Sequence, residues 1–139
     1  LLPIPPLETA TDPVHSPADL RQRWLALMGP LGFEKRLLWY AFVGPDRCLL
    51  KMLSHVPIGR RPLGGILWNL MSSLRALLDD LGPGTSVALL LTGPGHGPIS
   101  SADRLWSKSL TEMSEQFGVP IEPIFCANDE SLELVSQKL

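Results

Sequence analysis

Residues 86–92, SVALLLT, set five apolar side chains in unbroken succession between a serine and a threonine. A strand with one wet face alternates apolar and polar residues, so an unbroken run requires burial on both faces. Such a strand must lie inside a sheet with other layers packed above and below it. The rest of the chain supplies those layers. Leu67, Leu70, Met71, Leu74, Leu77, Leu78 and Leu81 keep helical spacing over 66–81, and Trp106, Leu110, Met113 and Phe117 do so over 101–117. Gly82 and Gly118 stand where the two helices should stop.

The remaining elements fit the same plan. Ser16 is a suitable N-cap, Pro17 sits at the first helical position, and Leu20, Trp24, Leu27 and Met28 continue the stripe of a first helix. RLLWYAFV (36–43) and CLLKMLSHV (48–56), joined by the turn GPDR, predict an antiparallel hairpin. IEPIFCA (121–127) predicts another strand, whose Pro123 lacks a ladder donor and so points to an edge or a bulge. SLELVSQKL closes the chain as a short strand or a fraying helix. The expected fold is α/β, in the order α-β-β-α-β-α-β: a two- or three-layer sandwich with a mixed sheet flanked by helices. Residues 1–15, with four prolines and no periodicity, form an extended arm, and 16–139 form a single α/β domain.

Composition narrows the function classes. The 139 residues are 45% hydrophobic and 19% charged, which supports a packed core rather than disorder. A net charge of −2 gives no broad footprint for nucleic acid or an anionic membrane. No apolar run reaches the roughly 20 residues of a membrane span. Two isolated cysteines, Cys48 and Cys126, make neither a disulfide framework nor a metal knuckle; they read as small buried hydrophobes of a cytoplasmic protein. The chain begins with Leu1 and reads as trimmed, without a secretory signal.

The hairpin, the long helix, the apolar strand, and a Gly/Pro loop leading into SSAD carry a resemblance. From about 36 to 135 the chain resembles the JAB/MPN domain in its RadC-like form. In that family the strand ends in His-x-His-Pro, and the following helix opens with Pro-Ser-x-x-Asp. Laid without gaps, Ser100 falls on the family serine and Asp103 on the family aspartate. The resemblance implies a zinc ion held by the two histidines and the aspartate, with a glutamate as general base. Here the histidine positions are Leu90 and Thr92. The glutamate position falls near Met52, between Lys51 and Leu53, and no acid occurs in 47–78. What the resemblance implies is therefore the sandwich without its catalytic zinc: a pseudoenzyme with no metal, no cofactor and no catalytic residue assigned.

The loop TGPGHGP (92–98) offers a second chemistry, because glycine turns and helix N-termini present N–H groups to anions. Gly93, Gly95, His96, Gly97, Ser100 and Asp103 are its candidate ligand residues. The spacing is not that of a dinucleotide fingerprint or a P-loop, and Pro94 and Pro98 each remove a donor. No nucleophile, base and orienting acid stand in triad order. Positive φ is the favoured account of the glycines, and a helix cap worth about 1 kcal/mol that of Ser100 with Asp103. GRRP (59–62), together with Arg47 and Lys51, marks one positive edge.

The expected function is a non-catalytic interaction or scaffold module that binds a protein partner. The arm, with Leu1, Leu2, Ile4 and Leu7, is a docking element, and Trp68, Arg60 and Arg61 are candidate partner-binding residues. Trp68 lies off the inward stripe of its helix, and its other reading is a cover over the hairpin. Self-association stays open, nucleic acid is disfavoured, and no membrane role is expected. The alternatives are an anion or small-ligand binder, or an enzyme, using the 93–103 loop, and a nucleic-acid-associated accessory domain.

Overall fold

The architecture comes from a computed structural model that describes residues 3–135. Leu1 and Leu2 of the arm, and the terminal SQKL, lie outside the described residues. A 3-10 helix (Leu7–Thr11) precedes α1 (Pro17–Met28), β1 (Leu37–Val43), β2 (Leu49–Pro57), α2 (Gly64–Leu81), β3 (Ser86–Thr92), α3 (Ser101–Phe117), β4 (Phe125–Ala127) and β5 (Leu132–Leu134). The unbroken apolar run becomes β3, buried at every residue and placed at the centre of a five-stranded sheet ordered β2-β1-β3-β4-β5. The sheet is mixed: β3 pairs parallel with β4, and the other neighbours pair antiparallel.

Because successive side chains of a strand point to opposite faces, β3 feeds two cores. Leu89 and Leu91 join Leu38, Phe42, Met71, Leu74, Trp106 and Leu110 beneath α2 and α3. Ala88 and Leu90 join Ala41, Phe125, Leu20, Trp24 and Leu25 beneath α1. The result is three layers, with one helix on one face and two on the other. Both caps expected from sequence form: Ser16 Oγ accepts from Asp19 N–H, and Ser100 Oγ accepts from Asp103 N–H.

Three local expectations change. Pro123 interrupts the expected 121–127 strand, so only a single bridge pairs Ile121 with Val87 before β4 begins at Phe125. β4 is nevertheless an inner strand, and the edges are β2 and β5. The arm is not simply extended. It coils at Leu7–Thr11, buries Val14, and is strapped down where Arg23 donates to the Asp12 and Pro13 carbonyls. Cys126 is buried as expected, whereas Cys48 is only half-buried; both are free thiols.

Arg47, assigned from sequence to a positive edge, is instead a junction. It adopts φ 66°, exchanges backbone and side-chain bonds with Val14, and grips Glu122 with both terminal nitrogens at 2.7 and 3.1 Å. Ser86 Oγ donates to the same carboxylate at 2.6 Å. The Arg47 guanidinium holds the Glu122 carboxyl below its ordinary range against the opposing effect of burial, and Ser86 adds to that. One ion pair thereby ties arm, hairpin turn, β3 and the approach to β4.

Candidate functional site

The loop after β3 lies at the C-terminal ends of two parallel strands and at the N-terminus of α3, where open α/β sheets commonly bind ligands. A cavity of about 260 Å³ opens there beside Arg36, Arg60, Asp103 and Asn128. Its glycine amides, however, are already engaged. Gly93 N–H donates to the Ala127 carbonyl, Gly95 N–H to Asp129 Oδ2 at 2.9 Å, and Gly97 N–H to Glu130 Oε1 at 2.6 Å. Asn128 Nδ2 returns a bond to the Gly97 carbonyl, and Asp129 N–H one to Gly95. The glycine loop is clasped by the Asn128–Ser131 turn, whose acids occupy the amides an anion would need. Gly95 and Gly97 do take positive φ, at 132° and 90°. Gly93 does not: a Cβ there would meet the Arg36 side chain at 3.1 Å, so its lack of one makes room for that arginine.

Arg36 is the other fixture. Its Nη2 donates to Asp103 Oδ1 at 2.8 Å and its Nε to the Gly59 carbonyl at 3.2 Å, both side chains being largely buried. Trp106 Nε1 donates to the same carbonyl at 2.9 Å. Ser100 is spent on the cap. His96 has a 74% exposed side chain and stands 3.5 Å from Glu130. Burial, with Asp103 nearby, pushes the Cys126 thiol up to about 12, so the thiol that lines the cavity stays protonated and non-nucleophilic.

The four positions that the resemblance assigns to metal chemistry do not converge in this chain. Leu90 faces α1, and Thr92, two residues on, faces the same way, its Oγ1 accepting from Trp39 Nε1 at 3.0 Å. Asp103 rides on α3, across the opposite face. Met52 projects from the outer strand β2. Among the described residues no group of three His, Cys, Asp or Glu side chains is placed to share an ion.

Asp129 went unassigned in the sequence because its partners are far along the chain. Its carboxylate accepts from Gly95 N–H and, 96 residues away, from Phe33 N–H, and these two bonds hold its pKa below the ordinary range. A depressed carboxyl stabilises the fold fully above its unfolded value, 3.8, and loses that contribution as pH falls through the folded value. Asp129→Ala should therefore lower the thermal midpoint at neutral pH. The gap to wild type should narrow below pH 3.8, as read by calorimetry across pH.

A different surface is unengaged. β2 is an edge strand of nine residues, and Lys51 through Ser54 and on to His55 are exposed without a break. Met52 is 41% and Leu53 38% exposed. Beside it an apolar groove of about 410 Å³ runs between the 3-10 helix and the strand, lined by Leu7, Ala10, Leu27, Ala41, Leu49 and Leu53 among others. Leu53 pairs across the ladder with Ala41, which places it on the α1 face. The arm's Leu7, 65% exposed, forms part of this groove. Of the other candidates, Arg60 rims the cavity and Arg61 is exposed in the loop after β2. Trp68 is 59% exposed and packs edge-to-face on Phe117 at 4.8 Å, so it covers α3 rather than the hairpin.

No family model, no curated protein and no solved structure matches the chain. No helix among the described residues is long and apolar enough to cross a membrane.

Proposed function

We propose that the chain is a non-catalytic interaction module whose working surface is the free edge of β2 with the apolar groove beside it. The observation that carries this is the continuous exposure of 51–55, on an edge strand, next to that groove. An open edge offers unpaired N–H and C=O groups to a further strand, which supplies affinity, while side-chain pockets beside it supply selectivity. The loop at 93–103 is the weaker candidate, because its glycine amides are consumed internally. Nothing here draws on metal chemistry.

Selection of peptides from a random display library on the folded protein tests it. The recovered sequences should be extended and apolar, and should shift the backbone NMR signals of 49–57. Leu53→Asp should weaken them at least tenfold, and His96→Ala should leave them unchanged. Peptides that instead perturb 93–103 and respond to His96→Ala would overturn it.

A further inference from the structure

We infer that the occupant of the β2 edge is an extended segment of another protein that alternates apolar and acidic residues. It sets a carboxylate against Lys51 and an apolar side chain in the groove; this rests on the interaction surface proposed above. Charge is the first argument. The sequence holds no Asp or Glu from Arg47 to Leu78. Within that span Arg47 is spent on Glu122 and Arg75 on Asp79, which leaves Lys51 exposed at the groove without a counter-ion among the described residues, with Arg60 and Arg61 beyond the end of the strand and Arg60 at the 93–103 cavity. A partner strand rich in carboxylates meets this unbalanced charge; a basic one is repelled.

The strand's own irregularity is the second argument, and it bears on a second copy of the chain. The ladder runs from Leu53 to Pro57 in register with Ala41 to Leu37, then shifts, so that residues 50–52 of β2 stand against Phe42 alone before Leu49 meets Val43. The regular edge is thus only five residues, about 17 Å long. It ends in a proline on one side and in a bulge carrying Lys51 on the other. A bulge and a lysine on the edge are devices that discourage an edge from pairing with itself. Antiparallel self-pairing would also set Lys51 beside residues that include no acid. A short acidic segment needs only the five regular residues and meets Lys51 with opposite charge.

The test uses fluorescent nine-residue peptides, one alternating Val and Glu and one alternating Val and Lys, titrated by anisotropy against the whole chain. A sedimentation run on the protein alone accompanies them. The acidic peptide should bind at least tenfold tighter than the basic one, with affinity falling as salt rises. Lys51→Glu, a change at an exposed position, should reverse that order. Equal binding of both peptides overturns the charge assignment while leaving the β2 surface standing. Binding of neither overturns the surface as well. A dimer dissolved by Leu53→Asp makes a second copy the occupant and overturns the inference.

Discussion

Replacing Trp106 by alanine should lower the free energy of unfolding by about 4 kcal/mol, within the range for a large aromatic deleted from a core. The side chain is fully buried beneath α3, in the cluster that joins α2 and α3 to β1 and β3. Its indole N–H also donates to the Gly59 carbonyl, which anchors the loop between β2 and α2. Trp24 is equally buried on the other face, but its indole N–H has no hydrogen-bond partner among the described residues. Trp→Phe substitutions separate bulk from hydrogen bonding. At 106 the change loses a bond worth about 1 kcal/mol in addition to volume, whereas at 24 it removes an unsatisfied donor. Urea titrations should therefore rank Trp106→Phe as clearly more destabilising than Trp24→Phe. Equal losses would mean that the Gly59 bond contributes nothing.

The second large effect is at Glu122. Glu122→Ala should cost about 2 kcal/mol, because a charge-assisted pair disappears and both the Arg47 guanidinium and the Ser86 hydroxyl lose their acceptor. The sign with pH follows from the direction of the shift. A carboxyl held below its ordinary value of 4.5 contributes fully above that pH, and the contribution is lost as pH falls through the folded value. The difference between wild type and Glu122→Ala should be constant at neutral pH and shrink below 4.5. A pH-independent difference would show that packing around the side chain, not its charge, is what the substitution removes.

How much of this was legible in the sequence depends on the range of the interaction. β3 could be placed at the centre because the absence of alternation is a local property with one structural solution. The caps at Ser16 and Ser100 were legible because donor and acceptor lie three residues apart. The Arg47–Glu122 pair, 75 residues apart, left no local trace, and Arg47 looked like a free surface cation. Asp129 likewise looked like an ordinary turn residue, since only the fold brings it to Phe33 and Gly95. The 93–103 loop drew attention through its glycines. Which loop amides are free depends on a turn more than thirty residues later. The β2 edge did leave a signal: in LLKMLSHVP, polar residues stand at both parities, with Lys51 and His55 on one and Ser54 on the other. Polar residues at both parities leave the middle of the strand, 51–55, exposed. Pro123 drew the edge assignment instead, although it only shortens an inner strand.

Amide hydrogen exchange, followed with and without a library-selected peptide, reaches the central claim most directly. The outward-facing amides within 53–56 should exchange at least tenfold more slowly in the complex, because an added strand takes them up, and 93–103 should be unaffected. Protection that appears at Gly95 and Gly97 while β2 exchanges as before would contradict it.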